Sequence, residues 1–133
     1  MSDSDRELTI YQVLGESGIS RLVTVFYDHM EENPEVEFVR AMHPSDLSDS
    51  REKFRLFLMG WFGGPQVYVQ RFGHPRLRAR HLPFPIDSQA RDQWMQCMDV
   101  ALAEVIPHET LRDQIRGAFA GMADHMRNRP DSG

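Results

Sequence analysis

The sequence has little cysteine and no long apolar run. Cys97 is the only cysteine among 133 residues, so no disulfide can form within the chain, and we expect a reducing cytoplasm. No stretch of about 18 apolar residues is present, which argues against a membrane-spanning helix. The first nine residues, MSDSDRELT, are polar and acidic, unlike a secretory signal peptide.

Basic charge and several catalytic motifs are also scarce. The formal net charge is −5, which argues against a nucleic-acid partner and leaves small ligands and protein partners open. The chain has no phosphate-binding Walker loop, dinucleotide fingerprint, HExxH or CxxC motif. His74 and His81 are spaced to share a zinc ion, but no third and fourth ligand follow at a suitable spacing. Zinc is therefore poorly supported.

What the sequence does contain is typical of one helical domain. Hydrophobic residues make up 41% of the chain, an ordinary value for a globular protein. The eight methionines and eight phenylalanines suit an adaptable apolar cavity, although a helical core explains them nearly as well. We expect a single domain over residues 1–133, a monomer or weak dimer, with flexible tails at 1–8 and 128–133.

Helical spacing of apolar residues predicts an all-α fold. Five helices are expected: residues 9–14 capped by Thr9, residues 19–32, a helix opened by Ser45 or Asp46 and running to 62, a helix capped by Asp87 or Ser88 and running to 105, and a last helix opened by Pro107. Residues 34–46 are predicted to be a turn-rich corner. Residues 68–86 are irregular and basic, with one or two helical turns over 75–80. Such a segment has a weak intrinsic fold, so we expect a bound ligand to hold it.

The stretch from residue 63 to residue 98, GGPQVYVQRFGHPRLRARHLPFPIDSQARDQWMQCM, resembles group II truncated haemoglobins. The glycine pair, the GHPRLRARH run, the PFPI that follows and the RDxWxxCM opening of the next helix match in order and spacing. The helix pattern on either side agrees, so the resemblance covers roughly residues 9–127. It implies a truncated-globin fold, a two-over-two helical sandwich around haem b.

The resemblance implies that His81 is the proximal haem ligand. A neutral imidazole nitrogen binds iron well and leaves the opposite axial position for a diatomic ligand. The alternative reading of the residue alone is a surface histidine in a loop. If His81 is the ligand, its other ring nitrogen is expected to donate to a nearby backbone carbonyl.

On the distal side, the resemblance places Tyr27 and Trp94 beside the bound ligand. The Tyr27 hydroxyl and the Trp94 indole N–H would each donate a hydrogen bond to it. His43 stands where the family usually has phenylalanine or tyrosine. It is expected either to donate to the ligand as a third polar group or to bind the iron itself in a six-coordinate resting state. A half-buried tyrosine, a core tryptophan and a solvent-facing histidine are the ordinary alternatives.

Further positions are assigned by the resemblance and by helical spacing. Ser50 and Phe54 lie one turn apart and should both face the distal pocket, with the small Ser50 leaving an opening for ligand access. The haem propionates need charged or phenolic donors at the rim, and the candidates are Lys53, Tyr68, Arg78 and Arg80. The expected apolar contacts with the haem faces are Phe57, Leu77, Phe84, Ile86 and Met98.

These residues predict reversible binding of dioxygen and other diatomic ligands at ferrous haem. Two or three hydrogen-bond donors to the ligand predict slow dioxygen release, which makes bulk oxygen delivery unattractive. The alternative is a redox enzyme, peroxidase-like or a nitric oxide dioxygenase. The sequence carries no flavin or nicotinamide domain, so such an enzyme would take electrons from a separate reductase. A haem-based sensor is less well supported, because no output domain is attached.

Overall fold

The computed structural model describes residues 8–131, and they form seven α-helices with no strand among them. The helices are α1 (Ile10–Glu32), α2 (Glu37–Arg40), α3 (Ser48–Trp61), α4 (Val67–Phe72), α5 (Leu77–His81), α6 (Ser88–Val105) and α7 (Glu109–His125). A single 3-10 turn, Pro34–Val36, precedes α2. The predicted all-α class is confirmed over this part of the chain.

The start of α1 follows from local sequence. The Thr9 hydroxyl accepts from the Gln12 N–H, and the Gln12 side chain accepts in return from the Thr9 N–H, which forms a complete capping box. Gly15 then breaks the helix with φ of 68°, a conformation that glycine adopts readily. The predicted break after residue 14 is therefore correct, but it is confined to this one glycine, and the helix resumes before residue 19.

The larger helices form two packed pairs. α1 contacts α3, α6 contacts α7, and α1 also packs on α6, which joins the pairs. The core between them contains fully buried side chains from all four helices: Ile19, Leu22, Phe26, Leu58, Met98, Leu102, Ile115 and Phe119. Each such side chain contributes roughly 1.5–3 kcal/mol to folding. The four helices are thus rigid supports for the shorter α2, α4 and α5.

The corner after α3 shows why the sequence needs two glycines there. Gly63 has φ of 95°, and a Cβ on Gly64 would lie 2.5 Å from the ring of Tyr11. The Tyr11 N–H donates to the Phe62 carbonyl over 2.9 Å, so the corner lies directly against the start of α1. Close backbone approach, as well as turn conformation, therefore requires small residues here.

The two ends of the chain were expected to be flexible. Residues 1–7 and 132–133 lie outside the described residues. Within residues 8–131, the Asn128 side chain accepts a hydrogen bond from the Ile86 N–H, and the Asp131 carboxylate accepts one from the Ser88 N–H. The first part of the C-terminal tail thus binds Ile86 and the first residue of α6. None of the helices in the described residues is long and apolar enough to cross a membrane.

Candidate functional site

One cavity of about 410 Å³ lies between the packed pairs and the three short helices. It is lined by side chains from every helix: from α1 to α3 and the α2–α3 corner these are Tyr27, Val39, Met42, His43, Pro44, Ser50, Lys53, Phe54 and Phe57, and from α4 onward Tyr68, Leu77, Arg80, His81, Phe84, Ile86, Ala90, Arg91, Trp94, Met122, Ala123 and Met126. The lining is mainly apolar, and it also contains two histidines, two tyrosines and one tryptophan. A shallower groove between α6 and α7 contains ion pairs and none of the predicted site residues.

His81 occupies the last position of α5 and lines the cavity. Its Nδ1 lies 2.5 Å from the carbonyl oxygen of Leu77, one helical turn earlier. A carbonyl oxygen only accepts, so Nδ1 must carry the ring proton and donate it. When the ring is neutral, Nε2 then has an unshared electron pair, the form of imidazole that binds a metal ion. The Asn128 amide donates to the His81 carbonyl over 3.1 Å and holds the end of this short helix.

His43 repeats the same arrangement in another part of the chain. It follows α2, and its Nδ1 donates to the Val39 carbonyl oxygen over 2.8 Å, again four residues earlier. Burial lowers the pKa of His43, and the proximity of Arg40 and His81 lowers it further, against the opposing effect of the Val39 hydrogen bond. The ring is therefore neutral near pH 7, with its one proton at Nδ1. Its Nε2 can accept a proton or bind a metal but cannot donate a hydrogen bond.

Tyr27 lies on α1 and is almost completely buried. The edge of its ring packs against Phe26 and Phe54, and the ring of His43 is 6.1 Å away. Burial raises the pKa of Tyr27 above its usual range, a shift that the nearby Arg51 partly offsets and Cys97 increases. The phenol thus stays protonated and is a hydrogen-bond donor at the cavity wall.

Arg51 on α3 makes a contact with Tyr27 that sequence reasoning missed. The guanidinium carbon lies 5.7 Å from the centre of the Tyr27 ring, and the same guanidinium pairs with Asp28 over 2.8 Å. Arg51 thereby joins α3 to α1 beside the tyrosine. A cation over an aromatic face is attractive and helps to hold the ring. Arg51 was not predictable, because its spacing from Tyr27 and Asp28 depends on how two helices pack.

Trp94 on α6 reaches the same end of the cavity. Its ring packs against Phe26 at 5.1 Å and Phe54 at 6.2 Å, which fixes the indole within an aromatic cluster. Neither the Trp94 indole N–H nor the Tyr27 hydroxyl has a hydrogen-bond partner in the described residues. Among these residues, no side-chain nitrogen or oxygen atom that lacks a partner is fully buried. Both donors consequently open onto the cavity.

All but two of the predicted site residues line this cavity. The first exception is Arg78, whose guanidinium donates to the carbonyls of His125 and Arg127 and so faces the end of α7. Met98 is the second. It follows Trp94 by one helical turn on the same face, but at that depth α6 has passed the end of the cavity and Met98 is fully buried in the core.

The structure adds lining residues that the sequence analysis did not name. Ala90 and Arg91 lie one turn before Trp94, and Met122 lies one turn before Met126 at the end of α7, so helical spacing was a usable indication for these four. Val39, Met42 and Pro44 belong to the corner that was predicted as turns. No comparable pattern points to them.

Comparisons with known proteins give a consistent result. The bacterial-like globin family model matches residues 9–128. A group 2 truncated haemoglobin of Bacillus subtilis is 37% identical over 122 residues, covering 92% of this chain and 90% of the relative.

Solved structures agree. A cold-adapted truncated haemoglobin from the Antarctic bacterium Pseudoalteromonas haloplanktis superposes with a TM-score of 0.90 at 41% identity, covering 92% of this chain and 99% of that one. A group II 2-on-2 haemoglobin from Agrobacterium tumefaciens gives 0.90 at 40% identity, covering 95% and 98% of the two chains.

Proposed function

The chain belongs to the bacterial-like globin family and is a group II truncated haemoglobin, and from that premise we propose that it binds dioxygen reversibly with His81 as the proximal ligand of haem b. Haem b is the cofactor of this family. His81 would hold the haem, and the haem iron would supply the binding of a diatomic ligand. The observation that carries the proposal is the orientation of His81, whose Nδ1 is held by the Leu77 carbonyl so that Nε2 is available to iron.

The cavity fits haem in three respects. Its lining is mainly apolar, as the faces of the macrocycle require, with Phe57, Leu77, Phe84 and Ile86 among the contacts. Its lining also includes Lys53, Arg80, Arg91 and the phenol of Tyr68, all of them donors suited to propionate groups. Two histidines line its interior, each with Nδ1 held by a backbone carbonyl.

On the distal side, Tyr27 and Trp94 donate hydrogen bonds to the ligand. Both donors open onto the cavity and lack a protein partner in the described residues, so binding a polar ligand satisfies them. A hydrogen bond to a charged acceptor contributes roughly 1.5–3 kcal/mol. Since about 1.4 kcal/mol is a tenfold change in equilibrium, the two donors support high affinity and slow release of dioxygen.

His43 acts as a competitor for the iron. Its only ring proton is donated to the Val39 carbonyl, so the geometry does not support the expected third donor. It supports the other expectation, in which Nε2 binds the iron when no external ligand is present. Ser50, which lines the cavity at the start of α3, is small and leaves room for ligand access.

The proposal is tested by absorption spectroscopy of the haem-loaded protein in ferric, deoxy-ferrous and oxygenated forms. His81→Ala should lose the wild-type Soret band, and added imidazole should restore it by occupying the vacated position. His125→Ala, a histidine at the exposed end of α7, is the matched control and should leave the spectrum unchanged. A wild-type spectrum for His81→Ala would refute the proximal assignment.

A redox activity is the second candidate, and one observation favours it. Four exposed arginines, Arg71, Arg76, Arg78 and Arg80, lie on the segment that borders the cavity, where an electron-donating protein would have to dock. Rapid steady-state turnover of peroxide or nitric oxide with an added reductase would establish this activity. Stable oxygenated protein without turnover would favour ligand binding alone.

A further inference from the structure

The charges of the chain are segregated along the sequence. Residues 53–86 contain six lysines and arginines and no aspartate or glutamate, a net charge of +6. The whole chain carries −5, so the remaining residues together carry −11. The basic segment comprises most of α3, all of α4 and α5, and the loops between them. An acidic protein thus has one strongly basic segment.

Four arginines of this segment form an exposed basic surface. Arg71, Arg76, Arg78 and Arg80 are all exposed, and none of them forms an ion pair within residues 8–131. We call these four residues the basic rim. Its boundary is set by Lys53 and Arg55, whose charges are paired with Asp49 and Glu52. Unpaired exposed charges of one sign produce a local potential that attracts a partner of opposite charge.

Apolar side chains are exposed between these charges. Val69 is 42% exposed, Phe72 38% and Leu82 49%. The cation of Lys53 lies 5.3 Å from the centre of the Phe72 ring, and the Arg71 guanidinium carbon lies 5.5 Å from it. Arginine and aromatic residues are enriched in protein–protein interfaces, where apolar contacts pack inside a charged border.

The basic rim adjoins the cavity through one of its residues, Arg80. Arg80 lines the cavity and shares α5 with Arg78 and His81. The ring of Phe72 lies 5.0 Å from the ring of Tyr68, which also lines the cavity. A protein bound to this surface would therefore lie against the edge of a haem held by His81.

We propose that the basic rim docks an acidic one-electron carrier protein, of the iron–sulfur or flavin class, that reduces the haem iron. The proposal rests on the proposed function, because it requires haem in the cavity. One electron leaves the reduced cofactor of the carrier, which is oxidised, and converts ferric iron to ferrous iron. No bond of the chain forms or breaks, and no proton is transferred.

A compact acidic protein fits this surface better than an extended polyanion. The four arginines belong to the basic segment, residues 53–86, and the residues outside that segment together carry −11. A membrane or nucleic acid would extend past the basic rim and also face acidic surface. A small carrier touches only the rim, and beyond about 8–10 Å salt screens it from the other charges.

The test measures binding as well as reduction. Haem-loaded protein is titrated with an acidic [2Fe–2S] ferredoxin at low salt, with complex formation followed by nuclear magnetic resonance of the ferredoxin. Arg71→Glu should weaken binding about fivefold, as should Arg76→Asp, and high salt should abolish the difference. Aspartate suits position 76 because Arg76 has φ of 46°, a conformation that Asp tolerates better than most residues.

The control is Arg21→Glu, which changes the net charge by the same amount at an exposed site on α1 outside the basic segment. It should bind the ferredoxin like the wild type. Equal weakening by Arg21→Glu and Arg71→Glu would overturn the proposal, because net charge alone would then explain binding. Tighter binding to phosphatidylserine vesicles than to ferredoxin, lost in Arg71→Glu, would overturn it in favour of a membrane.

Failure of this inference is distinguishable from failure of the proposed function. The absorption spectrum of the same samples reports haem and its ligation, and substitutions at Arg71 and Arg76 should not alter it, since neither residue lines the cavity. A normal spectrum without selective ferredoxin binding would reject the docking surface and leave the haem assignment intact. Ferredoxin binding by a protein that cannot hold haem would reject the proposed function.

Discussion

The Nδ1 atom of His43 donates to the carbonyl oxygen of Val39 over 2.8 Å, which determines what the opposite ring nitrogen can do. His81 makes the same contact with Leu77. Each histidine therefore lies one helical turn after the carbonyl that orients it, with Nε2 unprotonated in the neutral ring. The two rings line the same cavity from different elements, α5 and the corner after α2. Both are chemically competent to bind iron.

The first prediction concerns the resting state of the iron. Because His43 presents an acceptor nitrogen, we expect low-spin ferric and ferrous spectra in the absence of added ligand. His43→Phe removes the nitrogen and keeps an aromatic ring of similar size, so it should give high-spin spectra and faster binding of external ligands. Absorption and resonance Raman spectroscopy measure the spin state directly.

His125→Phe is the control for this prediction, since it makes the same substitution at an exposed histidine away from the cavity. It should keep the low-spin spectra. A wild-type protein that is high-spin at rest would show that His43 does not bind the iron. Its role would then be limited to accepting a hydrogen bond within the cavity.

The second prediction concerns dioxygen release. Tyr27→Phe deletes the hydroxyl and little else, since the ring contacts with Phe26 and Phe54 are preserved. Loss of a hydrogen bond worth roughly 1.5–3 kcal/mol should accelerate dioxygen dissociation about tenfold or more. Stopped-flow displacement of dioxygen by carbon monoxide measures this rate.

The comparison for this variant is Tyr11→Phe. Tyr11 packs against Gly64 and does not line the cavity, so its hydroxyl should have no effect on dioxygen release. If Tyr27→Phe and Tyr11→Phe release dioxygen at the wild-type rate, Tyr27 does not donate to the ligand. Trp94 would then be the only strong donor among the predicted residues.

The long helices were predictable because their local determinants lie in the sequence. Thr9 and Asp87 cap α1 and α6 as predicted, through hydrogen bonds to Gln12 and Ala90. The start of α3 was placed slightly early. Asp46 does accept a hydrogen bond from the Ser48 N–H, but the helix begins only at Ser48. A cap residue two positions before the helix looks the same in sequence as one directly before it.

The helical turns predicted over 75–80 correspond to α5, but the short helices α2 and α4 were not predictable, for a physical reason. α4 has six residues, no side-chain cap at Gln66 and two β-branched valines, so its sequence has neither a helical period nor a start site. α2 has four residues. Such helices depend on tertiary packing rather than on propensity. The cavity residues that α2 and its corner supply, Val39 and Met42, were missed for this reason.

The third prediction tests the glycine corner. A Cβ at Gly64 would lie 2.5 Å from the Tyr11 ring, so Gly64→Ala forces the ring or the corner to move. Overpacking of this kind costs about 1–3 kcal/mol, and the midpoint of thermal unfolding should fall accordingly. Combining Gly64→Ala with Tyr11→Ala should recover part of the loss, because the smaller side chain removes the overlap.

Gly117→Ala is the matched control for Gly64→Ala. Gly117 lies within α7 and nothing approaches its Cβ position within 4 Å, so alanine should stabilise the helix by about 0.5–1 kcal/mol. Opposite signs for the two substitutions are expected in calorimetry. Equal unfolding midpoints for Gly64→Ala and wild type would contradict the close approach of Tyr11.

The last prediction concerns acid sensitivity. The Asp124 carboxylate accepts from Arg91 over 2.6 Å and from Arg127 over 2.8 Å, and these contacts, chiefly that with Arg91, lower its pKa in the folded protein. The unfolded chain then binds the proton more readily, so the stabilisation is present above about pH 4 and is lost as pH falls below it. Asp124→Asn should flatten this part of the profile of unfolding midpoint against pH. Asp113 lies on the same helix and forms no ion pair in the described residues, so Asp113→Asn should leave the acid part of the profile unchanged. Identical acid profiles for the two variants would contradict the assigned role of Asp124.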